Sequence, residues 1–300
     1  MVYPKIFKLM VYQTNVFSPY NLQKYLCNKN ITVSHMSESP SDEQIHPFLL
    51  KPCTMVIPAY NEENRISSVL NEVCTFISDN KLPWEVIVVV DGNDHTNDIV
   101  GKYHDNYPFV FSKRSTGRTG MGGAIKRGIN SSNGEFTLLM DADGSAKLRD
   151  MIKNVSLLEN NDVLNFDRYS NYRNYIPIKR RVASRGFNII LKILFNINVQ
   201  DTQCGYKIMR TKVAVKIVNR ITFTNAFFLT AFFLHCRKLD VKVTEAPLSY
   251  THTFGSKFNV VMTSISYSIS IFAFWLKDSR FYRFIPAPIS ELYYKKFKYL

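Results

Sequence analysis

Between residues 54 and 166 of this 300-residue chain, apolar positions follow two alternating rhythms. Thr54-Met-Val-Ile-Pro58 is a short apolar run closed by proline, the signature of a buried strand. Ile66, Val69, Leu70, Val73 and Ile77 then recur at helical spacing and lay one apolar stripe along an amphipathic helix. Glu85-Val-Ile-Val-Val-Val90 is β-branched and apolar on both faces, as a central strand covered on two sides must be. Phe109 to Phe111 predicts a weaker third strand, and Gly122 to Asn130 a helix behind a glycine-rich loop. Phe136 to Met140 and Val163 to Phe166 predict further strands, with a helix from Lys147 to Leu158 between them. Strands alternating with helices predict an α/β fold with a mostly parallel, Rossmann-like sheet flanked by helices. Such sheets bind ligands beyond the carboxyl ends of their strands.

The flanks differ from this region. Residues 1–50 are polar and irregular, with a linker signal at Ser37-Glu-Ser-Pro-Ser-Asp42, and read as an extension. Met1 to Tyr20 lacks the apolar core and cleavage site of a signal peptide. Residues 51–250 form the α/β domain, and 251–300 a C-terminal amphipathic or membrane-associating segment. Within that segment, Phe258 to Leu276 carries no charge and is bracketed by Lys257 and Lys277. Its length just suffices to cross a bilayer, but Asn259, Thr263, Ser264, Ser266, Ser268 and Ser270 suit lipid poorly. A bilayer span, an interfacial helix or hairpin, and a buried element all stay open.

The composition, 46% hydrophobic and 21% charged, is that of a globular protein with a full core, which excludes general disorder, collagen and coiled coil. Five cysteines (27, 53, 74, 204, 236) without a C-x-x-C pair indicate neither a disulfide framework nor a zinc site, and suit a reducing compartment. With 38 Lys and Arg against 24 Asp and Glu, the net charge of +14 calls for an anionic partner. Residues 165–220 hold twelve Lys or Arg and two Asp, a net of +10. There Arg180, Arg181, Arg185 and Lys192 punctuate the apolar helical run Val182 to Phe195, and a basic amphipathic helix fits a membrane surface. Nucleic acid is disfavoured, because no RNA-binding motif is present and the aromatic residues lie among aliphatics.

The strand ends carry the candidate chemistry: Pro58-Ala-Tyr60-Asn-Glu62-Glu63, Asp91-Gly-Asn-Asp94 and Asp141-Ala-Asp143-Gly144. Two carboxylates at i and i+2 on a tight turn can address a hard divalent cation, or can simply stabilise their own turn. Mg²⁺ or Mn²⁺ there would neutralise a departing diphosphate. Gly117 to Arg127 matches neither a P-loop nor the dinucleotide fingerprint, although glycines ahead of a helix let N–H groups approach an anion. Asp94-His95-Thr-Asn-Asp98 reads as a helix cap, His235 as a core residue and Cys204 as an inert buried thiol.

Taken together, VIPAYNEE (56–63), EVIVVVDG (85–92), GMGGAIKRG (120–128), LLMDADG (138–144), SRGFN (184–188), DTQCGYKIMR (201–210) and GSK (255–257) resemble family 2 of the nucleotide-sugar-dependent glycosyltransferases, which have the GT-A fold. The nearest likeness is to the branch that acts on dolichyl or polyprenyl phosphate, the dolichyl-phosphate β-glucosyltransferases. The resemblance implies an inverting transfer of a hexose, glucose from UDP-glucose or another hexose from a UDP- or GDP-sugar, to dolichyl or polyprenyl phosphate. It also implies Mg²⁺ or Mn²⁺ and a place on the cytoplasmic face of a membrane. By position, Pro58, Ala59, Tyr60 and Glu62 would line the nucleobase and ribose pocket, and Asp91 would bind the base. Lys126 would contact the diphosphate, and Arg168, Arg185 and Lys257 would handle the diphosphate and the acceptor phosphate, with Arg185 catalytic. Asp141 would lie near ribose and metal, Asp143 would be the principal metal ligand and catalytic, and Gln203 would flank the acceptor.

Two departures from the family pattern stand out. Val90 replaces the first of two aspartates that many relatives carry. Thr224 to Leu234 holds no carboxylate where the family often has one. A sugar hydroxyl needs a general base, whereas a phosphate monoester, with a second pKa of about 6, is already ionised at neutral pH. The missing carboxylate therefore favours a lipid-phosphate acceptor. A family-2 transferase acting on a sugar hydroxyl and a catalytically silent nucleotide-sugar-binding relative stay open as alternatives.

Overall fold

The computed structural model describes residues 46–115, 117, 119–171, 178–225, 227–251, 269–272 and 274–275. In chain order they form β1 (Cys53–Ala59), α1 (Ile66–Asp79), β2 (Trp84–Val90), α2 (Thr96–Asn106), β3 (Val110–Arg114), α3 (Gly120–Asn130) and β4 (Phe136–Leu139). There follow α4 (Leu148–Ile152), β5 (Val163–Asp167), α5 (Ile178–Phe195), β6 (Lys207–Arg210), α6 (Thr211–Val218), α7 (Phe228–Lys238) and β7 (Val243–Pro247).

The strands join into one seven-stranded sheet of order β3-β2-β1-β4-β6-β5-β7. It is mostly parallel, as expected: β1 pairs in parallel with β2 and β4, β2 with β3, and β5 with β7. β6 runs antiparallel between β4 and β5. The sequence pattern did not predict β6 and β7. β6 is only four residues long and carries a lysine, and β7 alternates too weakly to declare a face.

Side chains two apart share a face of the sheet, so each central strand feeds two cores. Met55 and Ile57 of β1 join Val86, Val88 and Val90 of β2 in one core, which the predicted α1 stripe covers. Val56, Ile87 and Val89 enter the other, under α3, α6 and α7. Helix α3 approaches the sheet and α7 closely because it carries glycines at both contacts. A Cβ on Gly128 would stand 2.2 Å from Val56 Cγ1, and one on Gly122 would stand 2.5 Å from Phe228 Cβ.

The last residues assigned to the N-terminal extension belong to the core. Leu49 is buried, Trp84 Nε1 donates to its carbonyl at 2.9 Å, and the rings of Phe48 and Phe136 lie 4.0 Å apart. Most of Phe258 to Leu276 lies outside the described residues, as do Lys257 and the rest of the GSK motif. Its described part, 269–272 and 274–275, is helical, and Ile271 and Phe274 are buried in the second core. Phe274 packs edge-on to Phe195 and His235. Among the described residues, no helix is long and apolar enough to cross a membrane.

Candidate functional site

Because β2, β1 and β4 are parallel neighbours, the loops after Val90, Ala59 and Leu139 emerge side by side from one sheet edge. The first two are laced together. Asn61, held at φ 55°, accepts the Asn93 N–H at 3.0 Å. Glu63 N donates to Asp94 Oδ2 at 3.0 Å, and Glu62 N donates to Thr96 Oγ1 at 2.9 Å. Asp94 Oδ1 accepts from Thr96 N and Oγ1, which makes the expected polar turn ahead of α2, although His95 at the N-cap itself makes no side-chain cap hydrogen bond. Of the residues assigned to the base and ribose, Ala59 is buried, Pro58 and Glu62 are half-buried, and Tyr60 is exposed.

Asp91 sits at the start of α3. Its carboxylate accepts the N–H groups of Thr119 and Gly120 at 2.9 to 3.0 Å and the Thr119 hydroxyl at 3.2 Å. The Gly122 N–H donates to the Thr224 carbonyl at 2.8 Å. Thus the donors that the glycine-rich loop offered to an external anion are taken by an internal carboxylate and a carbonyl, which satisfy the positive end of the helix. Lys126, on the same helix, donates from Nζ to the Ile221 carbonyl at 3.1 Å.

Asp141 and Asp143 occupy the third loop. Ser145 N donates to Asp143 Oδ1 at 2.9 Å, and Ala146 N donates to the Tyr206 hydroxyl at 3.1 Å. Burial and then the neighbouring Asp143 push the Asp141 carboxyl up to about 6, with Glu62 adding and Arg168 and Lys207 opposing. Glu62 is raised too, first by burial, and also by Asp143 and Asp94, against its ion pair with Arg65 at 2.7 Å. Asp143 thus disfavours the charge of both Asp141 and Glu62 at one corner of the rim. Of these, Asp141 and Asp143 are the hard-oxygen donors that could hold a divalent cation. Among the described residues no group of three or more ligands is assembled, and Mg²⁺ commonly binds through one or two carboxylates, with phosphates and water completing its shell. Asp141 is cradled by Gly205, where a Cβ would intrude to 2.1 Å from Oδ1.

Gly205 closes the segment Asp201 to Gly205, on the side assigned to the acceptor. Arg168 grips the fully buried Asp201 in two-point fashion, Nε to Oδ2 at 2.7 Å and Nη2 to Oδ1 at 2.9 Å. Gln203 donates from Nε2 to Thr230 Oγ1, and Thr230 donates to Thr202 Oγ1 at 3.4 Å. Helix α7, which carries no carboxylate, therefore presents a hydroxyl to this loop. Burial pushes the Cys204 thiol up to about 12, so it is inert as expected.

Arg185 stands exposed on α5. At 3.6 residues per turn, Ile178, Val182, Ile189 and Ile193 fall on one face of α5, and all four are exposed, Ile178 at 79% and Ile193 at 76%. Leu191 is buried on the side toward the second core, and the exposed Lys192 borders the apolar face.

Reasoning from sequence passed over Lys207, Tyr206, Thr230 and Glu245, which build the underside of this region. The DTQCGYKIMR run, which contains Lys207 and Tyr206, was the signal that could have found the first two.

The family model described as Glycosyl transferase family 2 matches residues 54–218. A dolichyl-phosphate beta-glucosyltransferase of Trichomonas vaginalis is 30% identical over 231 residues, 69% of this chain and 68% of that protein. The dolichyl-phosphate beta-glucosyltransferase of Saccharomyces cerevisiae is 27% identical over 255 residues, 77% of this chain and 74% of that protein. Among solved structures, glucosyl-3-phosphoglycerate synthase from Mycobacterium tuberculosis in complex with Mn²⁺, UDP and phosphoglyceric acid shares the fold with a TM-score of 0.54 at 13% identity. That match covers 76% of this chain and 78% of that one.

Proposed function

We propose the following reaction for this chain, which belongs to glycosyl transferase family 2 and has its GT-A fold: glucose passes from UDP-glucose to dolichyl phosphate, with inversion at the anomeric carbon. An oxygen of the acceptor phosphate forms the new bond to that carbon. The bond from the carbon to the β-phosphate oxygen breaks, and its electron pair leaves with UDP. No proton has to be removed from the acceptor, because a phosphate monoester is largely dianionic at neutral pH.

The observation that carries this choice of acceptor is α7, which offers Gln203 the Thr230 hydroxyl where a hydroxyl acceptor would require a carboxylate base. The relatives named as dolichyl-phosphate beta-glucosyltransferases support the same reading.

In this reading Pro58, Ala59, Tyr60, Glu62 and Asp91 receive uridine, and Lys126 and Arg168 serve the diphosphate. Arg185, Gln203 and Lys257 serve the lipid phosphate. Asp141 and Asp143 hold Mg²⁺ or Mn²⁺, which when bound neutralises the charge gathering on the leaving diphosphate. The apolar, lysine- and arginine-bordered face of α5 rests on the cytoplasmic face of a membrane, where the acceptor's headgroup is presented. Free, buried cysteines suit that reducing side.

The test is transfer by the purified chain from labelled UDP-glucose to dolichyl phosphate in detergent with Mn²⁺. Glucosylated lipid is expected, GDP-mannose should serve far less well, and Asp143→Ala should lower transfer by roughly 10²-fold or more. No lipid product, or product only on a sugar hydroxyl, overturns the reading.

A further inference from the structure

Lys207 lies on β6 with 1% of its surface exposed, beneath the loop assigned to the acceptor. Its ammonium donates to Asn165 Oδ1 at 3.0 Å and to the Cys204 carbonyl, and it stands 4.9 Å from the centre of the Phe233 ring. Asn165, fully buried on β5, donates in turn to the Asp201 carbonyl at 3.0 Å and to Glu245 Oε1 at 2.8 Å. Glu245, on β7, accepts the Gln200 N–H through Oε2 at 2.7 Å. One buried cation thus organises a network across three strands that grips the 200–204 loop at both ends, Gln200 and Asp201 at its start and Cys204 at its finish. Gln203, held by Thr230, lies between the two grips.

Burying an ammonium is costly, and the groups around it here are an amide oxygen, a carbonyl and an aromatic ring. A methionine would fill the same space on the strand without that cost. The charge therefore serves something other than packing.

We propose that Lys207 is a positioning residue for the transfer: with Asn165 and Glu245 it fixes the 200–204 loop, and so holds Gln203 at the acceptor phosphate. This rests on the reaction proposed above. Neither Lys207 nor Asn165 needs to touch a substrate.

The experiment compares full-length wild type, Lys207→Met and Lys207→Arg. In Lys207→Met, transfer should fall roughly 10- to 100-fold, the scale of a misplaced contact. The loss should appear in kcat and in KM for dolichyl phosphate, with KM for UDP-glucose within about threefold of wild type. Amide hydrogen exchange over 200–205 should quicken, while exchange in β1 and β2 stays unchanged. Transfer within about twofold of wild type, or a loss confined to the KM for UDP-glucose, overturns the inference. Should Lys207→Met not accumulate as folded protein, Lys207→Arg is read the same way, because a planar guanidinium cannot seat on both Asn165 Oδ1 and the Cys204 carbonyl as the ammonium does. If wild type itself transfers nothing, the reaction falls, and the exchange measurement still decides whether Lys207 holds the loop.

Discussion

The backbone of Gly205 presses against the carboxylate of Asp141 so closely that a Cβ there would stand 2.1 Å from Oδ1 and 2.4 Å from Oδ2. One loop of the acceptor side therefore sets where a carboxylate of the proposed metal pair can lie. Gly205→Ala should displace Asp141 and lower Mn²⁺-dependent transfer roughly 10- to 100-fold. The overpacking should cost about 1–3 kcal/mol of stability. Steady-state kinetics and urea unfolding check both, and wild-type turnover would show that the position of Asp141 does not matter.

Asp91 has a structural duty as well as a proposed place in the nucleotide pocket. Asp91→Ala strips the start of α3 of the acceptor for two N–H groups and one hydroxyl. It should destabilise the protein by about 1–2 kcal/mol, with Asp91→Asn intermediate. A lower urea midpoint at constant m would show this, and an unchanged midpoint would refute the capping role.

Glu245 gives the stability a pH dependence of known sign. Burial raises its carboxyl above the ordinary 4.5, and Asp167 adds to this, against hydrogen bonds from Gln200, Asn165 and Asp201. The folded chain thus keeps this proton to higher pH than the unfolded chain does. Across the window from 4.5 upward to the raised value, the contribution of Glu245 to stability falls as pH rises. Glu245→Gln, neutral throughout, should therefore gain stability relative to wild type as pH rises above 4.5. Urea unfolding at a series of pH values reads the difference, and a difference that shrinks with pH contradicts it.

The outward face of α5 should behave as a membrane contact. The double variant Ile189→Ser and Ile193→Ser removes exposed apolar surface, so its folding stability should stay within about 0.5 kcal/mol of wild type. Its binding to vesicles containing phosphatidylserine should weaken roughly tenfold or more, because each buried isoleucine is worth about 1.5–3 kcal/mol when fully inserted. Raising the salt should weaken wild-type binding through Arg185 and Lys192. Co-sedimentation measures both effects, and equal binding by variant and wild type would move the contact elsewhere.

Where burial repeats with the period of the backbone, the chain could be read directly. The stripe of Ile66, Val69, Leu70, Val73 and Ile77 and the run from Val86 to Val90 declared α1 and β2, and with them the edge where chemistry gathers. The polar turn that Asp94 makes ahead of α2 was legible for a similar reason, because its partner, Thr96, is two residues away. The strand β6 was not, because four residues with a buried lysine show no period.

The sequence by itself determined an α/β sheet, a rim bearing Glu62, Asp91, Asp141 and Asp143, and a likeness to lipid-phosphate glycosyltransferases, since short-range periodicity and motif order are written in the string. Only the tertiary structure decided that Asp91 would cap α3, that Gly205 would cradle Asp141, and that Lys207 would reach Asn165 and through it Glu245. Those partners stand tens of residues apart, and what joins them is the order in which strands pair. Strand order depends on how whole faces pack against one another, and no local pattern of residues encodes that.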